Sequence, residues 1–324
     1  MKAIVNTGPG QLEMHELPLP EPAAGQVRIR TAACGICATD FEMMDGSSRG
    51  KYPQILGHEW SGTVDHCGPG VDPSWRGKLC VGENVLRGGG EVGFEHPGGY
   101  GEFFLTDAAN LHFLPDGFSM DEAALLEPLA VAVRGIARLR NPSGSALIIG
   151  DGPIGLLMLM LLKRAGVRSL MLVGGRDARL QLARQLGATD TINYHMGKGS
   201  LAAEIASQAK DKFMAIVEAT RSAEVVTLAT QVAAHGARML LIGSYEGKSI
   251  TFPMQDFLHH EFELIASNAS ADAWPETVRL AVARELPIAK LITHRFPAIE
   301  FHSAIQTARD DRSALRVILQ WSKL

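Results

Sequence analysis

Two short segments in the first quarter of the chain carry side chains that suit a metal ion. The first is CGICATD, residues 34–40, and the second is GHEWSG, residues 57–62. Thiolate, imidazole and carboxylate groups are the ligands that zinc takes in tetrahedral sites, and a catalytic zinc keeps one position open. A structural zinc site needs four ligands, and the chain lacks the second CxxC motif that such a site would require. The residue types therefore favour a catalytic zinc site.

A third segment, residues 146–166, has the pattern of a phosphate-binding turn. An apolar strand, residues 146–149, leads into a glycine-rich turn and then into an apolar helix that ends at Gly166. Glycines at the turn allow a sharp bend, close approach to a pyrophosphate and tight packing of the helix on its strand, so that helix amides face the phosphates. The residues predicted to bind the dinucleotide are Gly150, Gly152, Pro153, Ile154 and Gly155.

The end of the next strand indicates which dinucleotide is bound. An acidic residue about twenty positions after the glycines holds the ribose hydroxyls of NAD, whereas an arginine suits the additional phosphate of NADP. The sequence there reads Gly174, Gly175, Arg176, with no carboxylate at the strand end. The guanidinium group can form a forked contact with a phosphate, so NADP is the predicted cofactor. The alternative is that Asp177 reaches the ribose of NAD, although a role as an N-terminal cap or first-turn acid of the next helix explains this residue better.

The elements that must position these residues alternate along the middle of the chain. Apolar runs that read as buried parallel strands are separated by amphipathic stretches that read as helices. The predicted strands are 146–149, 169–173, 189–194, 213–218, 237–243 and 262–267, and the predicted helices after the first are 178–186, 201–209 and 223–234. This pattern predicts an α/β Rossmann domain over residues 127–269, with a doubly wound parallel sheet of about six strands.

The chain before residue 127 has a different pattern. Short apolar runs bounded by glycine and proline predict a small, mostly antiparallel β domain. These runs are residues 2–6, 26–32, 61–66 and 101–105.

Length and composition limit the functional classes. The 324 residues suffice for two domains with substantial cores. A formal net charge of −4 and the lack of basic runs argue against a nucleic-acid partner. Four cysteines are too few for a disulfide scaffold in a chain of this size. Because the first residues carry no long apolar segment, the sequence predicts a cytoplasmic protein that does not insert into a membrane.

Taken together, the motifs resemble those of the zinc-containing medium-chain dehydrogenase/reductase family, especially its polyol and threonine dehydrogenase branch. The matching segments follow the family order along essentially the whole chain: CGICATD, GHE, GGYGEF, EPLA, GDGPIG, EAT and ALRVIL. The resemblance implies a barrel-like, GroES-like catalytic domain of residues 1–126 and 270–324, split around the dinucleotide-binding domain. It also implies a small-molecule alcohol or ketone substrate and a homodimer or homotetramer.

The same resemblance implies roles for individual residues near the metal. Cys37 and His58 match the first two catalytic zinc ligands, and Glu127 of EPLA matches the carboxylate ligand of the polyol branch. Glu59 is a neighbouring carboxylate that would bind zinc transiently or through water. Thr39 matches the hydroxyl group that bonds the substrate alcohol and passes its proton outward, the alternative being a hydroxyl satisfied by local backbone.

Further residues match the family or depart from it. Asp40 matches the carboxylate that orients a zinc histidine, and Arg316 matches an arginine that reaches the cofactor pyrophosphate. Cys34 matches a buried packing residue. Many relatives bind a structural zinc through four closely spaced cysteines, but here that region has Cys80 alone, so one catalytic zinc per chain is expected. Glu42 replaces a histidine of the proton relay, so the proton is expected to leave through a carboxylate or water.

The sequence thus predicts a zinc-dependent, NADP-preferring dehydrogenase of secondary alcohols or polyols. Zinc would bind the substrate hydroxyl, Thr39 would relay its proton, and hydride would pass to the nicotinamide. Two alternatives are a zinc-free quinone-type reductase on the same fold and a non-catalytic nucleotide-binding protein. Both alternatives are less favoured, because the cysteine, histidine and glutamate residues that match zinc ligands are all present.

Overall fold

The structure is a computed structural model that describes residues 1–46, 49–197, 199–243, 245 and 247–321. The chain divides into two compact units, one of Met1–Pro128 with Trp274–Leu324 and the other of Leu129–Ala273. Among the described residues, no helix has both the length and the apolar character needed to cross a membrane.

The described residues form fifteen strands and ten α-helices. The strands are β1 (Lys2–Gly8), β2 (Gln11–Glu16), β3 (Gln26–Gly35), β4 (Glu59–Cys67), β5 (Leu79–Gly82), β6 (Phe103–Asp107), β7 (Leu111–Phe113), β8 (Ser145–Ile149), β9 (Ser169–Gly174), β10 (Asp190–Asn193), β11 (Phe213–Glu218), β12 (Ala233–Leu241), β13 (Glu263–Ala266), β14 (Ile292–Pro297) and β15 (Arg316–Gln320). The helices are α1 (Ala38–Met44), α2 (Met120–Ala123), α3 (Leu126–Leu139), α4 (Pro153–Arg164), α5 (Asp177–Leu186), α6 (Leu201–Gln208), α7 (Ala223–Val232), α8 (Met254–His259), α9 (Trp274–Val282) and α10 (Phe301–Asp310).

The first unit is built on a sheet of seven strands. Its order is β14-β15-β3-β4-β5-β7, with β6 also paired to β3, and a separate hairpin joins β1 to β2. All pairings are antiparallel except that of β14 with β15. The last strand, β15, lies beside β3, where Leu319 pairs with Cys34. This confirms the predicted mostly β, GroES-like fold.

The second unit contains a parallel sheet of six strands in the order β10-β9-β8-β11-β12-β13. Strand β8, at the centre, is buried at every residue, as expected for a strand covered on both faces by helices. The order changes direction on either side of β8, which places the glycine turn after β8 at the switch point of a doubly wound sheet. The predicted α/β Rossmann fold is confirmed.

The structure departs from the predicted elements mainly at their ends. Strand β12 starts at Ala233, directly after α7, whereas the predicted helix continues to residue 234 and the predicted strand begins at 237. Alanine fits either element, so the pattern gives no boundary there. Strand β2 is an additional element that the sequence did not predict, and its apolar residues Leu12 and Met14 are only partly buried against the core.

Candidate active site

Cys37 lies between the end of β3 and the start of α1. It has an extended backbone, and its N–H group donates to Asp40 Oδ2 at 2.8 Å. A carboxylate three residues further along the chain thus satisfies an amide at the helix start. The cap holds the Cys37 backbone in place while the residue stays partly exposed.

A glycine positions His58 and Glu59 at the start of β4. Gly57 has a φ angle of +97°, and a Cβ atom at this position would lie 2.5 Å from Tyr100 Cδ1. Both the backbone angle and the close packing require glycine. In the pairing of β3 with β4, Gly35 lies opposite Glu59, which brings the two predicted metal-binding segments together. His58 and Glu59 are 6% and 1% exposed.

The candidate metal ligands converge. The ligand atoms of Cys37, His58 and Glu59 all lie within 4.8 Å of one another. A thiolate, an imidazole and a carboxylate are a donor set that zinc prefers, so these residues fit the ion that the sequence predicts. Cys34, the other cysteine of the CxxC motif, lies outside this group and is fully buried.

Asp40 links the histidine to the cysteine. Its carboxylate is fully buried, with Oδ1 lying 3.3 Å from His58 Nδ1 while Oδ2 accepts the bond from the Cys37 amide. Burial lowers the pKa of His58, but the negative charges of Asp40 and Cys37 outweigh burial and raise this pKa well above its usual value. This placement suits a carboxylate that orients an imidazole ligand, a role that stays a prediction.

Two buried polar residues around this centre escaped the sequence analysis. Tyr100 Oη donates to Asp40 Oδ2 at 3.1 Å, and Asn84 Nδ2 donates to the His58 carbonyl oxygen at 2.8 Å. Asn84 in turn accepts a hydrogen bond from Trp60 Nε1 at 2.8 Å. Tyr100 stands in the motif GGYGEF, where an aromatic residue indicates a place in the core or in a pocket lining rather than a bond to Asp40, whereas no local pattern marks Asn84.

Replacing Tyr100 by phenylalanine tests its support of Asp40. The ring stays in the core but the hydroxyl donor is lost, so zinc affinity is expected to fall about tenfold, as for other groups that orient metal ligands. Competition with a chromophoric chelator measures the affinity. The matched control is Tyr52→Phe, which removes a hydroxyl that donates to Met43 O at 3.2 Å. Equal zinc affinity in the two folded variants would contradict a role for the Tyr100 hydroxyl.

Glu59 is paired with a buried arginine. Arg316 Nη1 lies 2.9 Å from Glu59 Oε2 and donates to the Ile36 carbonyl oxygen at 2.9 Å. A Cβ atom on Gly35 would lie 2.3 Å from Glu59 Oε2, so glycine at this position leaves room for the carboxylate. Burial lowers the pKa of Arg316, but the charges of Glu59 and Cys37 outweigh it and raise this pKa. Contact between Arg316 and a cofactor pyrophosphate stays a prediction.

Glu127 lies in the first turn of α3. The residue keeps some exposed surface, yet its carboxyl group is enclosed by protein. Burial raises the pKa of this carboxyl group to about 8, and the charge of His58 opposes the shift. Glu127 is not part of the compact group of candidate ligands. Its role as a zinc ligand therefore stays a prediction.

Thr39 lies beside the candidate metal ligands. The Cys37 thiol donates to Thr39 Oγ1 at 3.7 Å, and Thr39 is partly exposed. A hydroxyl group in this position has a ligand on one side and access to solvent on the other. The arrangement suits a group that moves a proton, a role that also stays a prediction.

The glycine turn after β8 has the geometry of a phosphate site. Gly150 has a φ angle of +126°, and a Cβ atom on Gly155 would lie 2.0 Å from the Gly150 carbonyl oxygen. By contrast, a Cβ atom on Gly152 would meet nothing within 4 Å. The open space lies at the start of α4, whose first residues are Pro153 and Ile154. A pyrophosphate fits where the helix amides are exposed.

The end of β9 differs from the sequence expectation in one respect. A carboxylate does lie there, supplied by Asp151, which accepts hydrogen bonds from the N–H groups of Gly175 and Arg176 at 3.0 and 2.9 Å. Its position along the chain gives no sign of this role, because Asp151 stands between the first two glycines, 24 residues before Gly175. Asp177, the alternative ribose ligand, accepts a hydrogen bond from Asn193 Nδ2 at 2.6 Å.

Comparison with known proteins agrees with this arrangement. Residues 153–283 match the family model described as zinc-binding dehydrogenase, and residues 23–116 match the model described as alcohol dehydrogenase GroES-like domain. Together the two models cover most of the chain.

Relatives match over nearly the full length. The chain is 27% identical to an L-threonine 3-dehydrogenase of Anaeromyxobacter sp. (strain Fw109-5), covering 99% of each chain, and 27% identical to a sorbitol dehydrogenase of Gallus gallus, covering 95% of this chain and 93% of the relative. It also superposes, with a TM-score of 0.93 and 26% identity over 99% of each chain, on an alcohol dehydrogenase (rspB) from Escherichia coli CFT073 in complex with NADH. The chain therefore belongs to the zinc-containing medium-chain dehydrogenase/reductase family, in its polyol and threonine dehydrogenase branch.

Proposed function

We propose that this protein is a zinc-dependent dehydrogenase that transfers hydride between a secondary alcohol or polyol, or the matching ketone, and a nicotinamide cofactor, with NADP favoured. The observation that best supports the proposal is the convergence of Cys37, His58 and Glu59 within 4.8 Å. In this proposal residues 1–126 and 270–324 form the catalytic domain, and residues 127–269 bind the dinucleotide.

One zinc ion per chain would be held by Cys37 and His58, together with a carboxylate. When bound, the ion supplies a Lewis acid that lowers the pKa of an alcohol hydroxyl group. We assign the carboxylate to Glu127, as in the polyol branch, because Glu59 is already paired with Arg316 at 2.9 Å. Glu59 would then bind the ion transiently or through water.

Thr39 is the proposed proton carrier. In the structure its hydroxyl accepts a hydrogen bond from the Cys37 thiol at 3.7 Å. A thiolate that held a metal ion would no longer donate this bond, so the Thr39 oxygen would be available to accept a proton from a substrate hydroxyl. Asp40 accepts hydrogen bonds from the Cys37 amide and the Tyr100 hydroxyl, and its other carboxylate oxygen lies 3.3 Å from His58 Nδ1, close enough to orient the imidazole through its charge.

The replacement Thr39→Val tests this proton path. It keeps the branched shape but removes the hydroxyl, so kcat is expected to fall about a hundredfold while zinc content stays unchanged. Thr39→Ser, the matched control, retains a hydroxyl and is expected to retain turnover. Steady-state kinetics and metal analysis of both variants measure the outcome. Wild-type kcat in Thr39→Val would assign the proton path to another group, such as Glu42 or water.

The cofactor assignment depends on two features of the dinucleotide unit. A Cβ atom added to Gly152 would face open space, with no contact within 4 Å. This opening supports binding of a pyrophosphate at the start of α4. Arg176 follows β9 and its side chain is 42% exposed, which supports recognition of an additional phosphate. When bound, the nicotinamide ring accepts or returns the hydride.

Metal analysis and an alcohol screen test the proposed function. We expect zinc at about one ion per chain and NADP-dependent oxidation of at least one secondary alcohol or polyol, with activity lost on chelation and restored by zinc. Full activity after metal removal would favour the zinc-free quinone-type reductase. Bound zinc and dinucleotide without turnover of any alcohol would favour the non-catalytic protein. Sedimentation of the same sample distinguishes between the two proposed oligomers, a homodimer and a homotetramer.

A further inference from the structure

A buried carboxylate lies where β8 and β9 end, beside the glycine turn that is proposed to bind the dinucleotide. Asp151 lies between the first two glycines of the turn and is 6% exposed. Its neighbourhood follows from the pairing of β8 with β9, in which Ile149 lies opposite Val173. The residues after these two strands therefore leave the sheet side by side, and Asp151 faces the segment that begins at Gly174.

The side chain of Asp151 occupies the space that a side chain at position 174 would need. A Cβ atom on Gly174 would lie 2.5 Å from Asp151 Cβ and 2.8 Å from Asp151 Oδ2. Position 174 is the last residue of β9, where NAD-binding sheets ordinarily carry the acid that bonds the ribose hydroxyls. In this chain the carboxylate enters the same volume from the glycine turn instead.

The two carboxylate oxygens of Asp151 are already engaged by the protein. Oδ2 accepts the N–H groups of Gly175 and Arg176 at 3.0 and 2.9 Å. Oδ1 lies 3.5 Å from Arg176 Nη1 and 3.9 Å from Arg179 Nη1. An acid that serves a ribose presents its oxygens to the ligand, whereas this one holds the backbone and the guanidinium group of Arg176.

The pair with Arg176 is a single long contact. At 3.5 Å it orients the guanidinium group without forming the forked pair that a carboxylate or phosphate can make with arginine. The arginine side chain is 42% exposed, so it still faces the solvent from which a cofactor arrives. The end of β9 therefore presents the positive charge of Arg176, held by Asp151, at the place where NAD-binding sheets present a carboxylate.

We propose that Asp151 is a specificity-determining residue that positions Gly175 and Arg176 to receive the 2′-phosphate of NADP, and that it replaces the strand-end acid of NAD sites. The inference rests on the proposed function, because it assumes that the chain binds a nicotinamide dinucleotide. It adds a residue that acts through Arg176 rather than by touching the cofactor.

Titrations of NADPH and NADH into zinc-loaded protein, followed by cofactor fluorescence, test the inference. Wild type is expected to bind NADPH about tenfold or more tightly than NADH, since a hydrogen bond to a charged group contributes that much. Asp151→Asn keeps the volume and an oxygen acceptor but loses the charge, and is expected to weaken NADPH binding about fivefold, with little effect on NADH. Arg176→Ala is expected to remove the preference for NADPH.

A double-mutant cycle separates positioning from a general structural effect. If Asp151 acts through Arg176, adding Asp151→Asn to Arg176→Ala causes no further loss of NADPH affinity. If Asp151→Asn weakens NADPH binding as strongly in the Arg176→Ala protein as in wild type, the inference is overturned. It is also overturned by tighter binding of NADH by wild type with loss of NADH binding in Asp151→Asn, which would make Asp151 the ribose acceptor.

Moving the carboxylate provides a second, independent test. Gly174→Asp alone is expected to lower the melting temperature, because its Cβ atom overlaps Asp151. The double variant Asp151→Gly with Gly174→Asp is expected to regain stability and to prefer NADH. A double variant that is folded and still prefers NADPH overturns the inference. Failure of wild type to bind either dinucleotide contradicts the proposed function itself, whereas NADH preference with intact alcohol turnover overturns this inference and the preference for NADP but leaves the proposed dehydrogenase activity in place.

Discussion

Cys37→Ser protein is expected to contain no catalytic zinc and to lose at least about ten-thousandfold in kcat/KM, equivalent to about 5.4 kcal/mol of transition-state stabilisation. A serine hydroxyl stays protonated at neutral pH, so it replaces an anionic ligand by a weak neutral one. His58 and the carboxylate assigned to Glu127 then lack their thiolate partner, and Glu59 does not replace it freely because it is paired with Arg316 at 2.9 Å. Loss of the thiolate therefore removes both the ion and the chemistry that depends on it.

The other cysteine of the motif provides the control. Cys34 is fully buried, its thiol donates to the Gly35 carbonyl oxygen at 3.6 Å, and it lies outside the ligand group. Cys34→Ser is therefore expected to keep its zinc and turnover. Metal analysis after gel filtration and steady-state kinetics compare the two variants, with thermal unfolding as a check on folding. Zinc and full activity in Cys37→Ser, or equal loss of zinc in both, would contradict the proposed metal site.

The two folds differ in how far the sequence predicts them. In the dinucleotide unit, strands such as β8 are buried on both faces and give continuous apolar runs, so their positions follow directly from the sequence. The strands of the β unit are less uniform, since β15 is buried at every residue whereas β2 is partly or fully exposed throughout. Local pattern predicted only a small, mostly antiparallel β domain, and its GroES-like form and the return of the last residues to it came from the order of family motifs.

The candidate metal ligands were predictable because their types and spacing carry the chemistry. Cys37, His58 and Glu59 stand in two short motifs, and the pairing of β3 with β4 brings these motifs together. Asn84 and Tyr100 were not predictable in the same way. Each is an ordinary polar residue in a loop, and its contribution depends on a partner 26 or 60 residues away, which only the folded chain brings close.

Asp151 shows a different limit of sequence reasoning. The rule for dinucleotide preference looks for an acid at the end of the second strand, and that position is Gly174. The structure places a carboxylate in the same volume from a residue of the first turn, because the ends of β8 and β9 are adjacent. A rule that looks only at the end of the second strand misses a carboxylate supplied by the turn after the first.

Two glycines of the turn should separate folding from cofactor binding. A Cβ atom on Gly155 would lie 2.0 Å from the Gly150 carbonyl oxygen, which is backbone and has little freedom to move. Gly155→Ala is therefore expected to lower the free energy of unfolding by about 1–3 kcal/mol, even though alanine favours the helix, and to weaken NADPH binding as the turn is displaced. Denaturant unfolding and cofactor fluorescence measure the two effects.

Gly152→Ala is the matched variant, and it is expected to weaken NADPH binding with little effect on stability. Its backbone angles, φ −78° and ψ 177°, suit any residue, and its Cβ atom would meet no protein atom within 4 Å. Unfolding is therefore expected to change by less than about 0.5 kcal/mol. NADPH affinity is expected to fall about tenfold or more, because the methyl group takes the space that a pyrophosphate needs beside the helix amides, each such charged hydrogen bond being worth about 1.5–3 kcal/mol. Undisturbed binding in this stable variant would mean that no phosphate approaches the turn, whereas lost binding without lost stability assigns the open space at Gly152 to the cofactor.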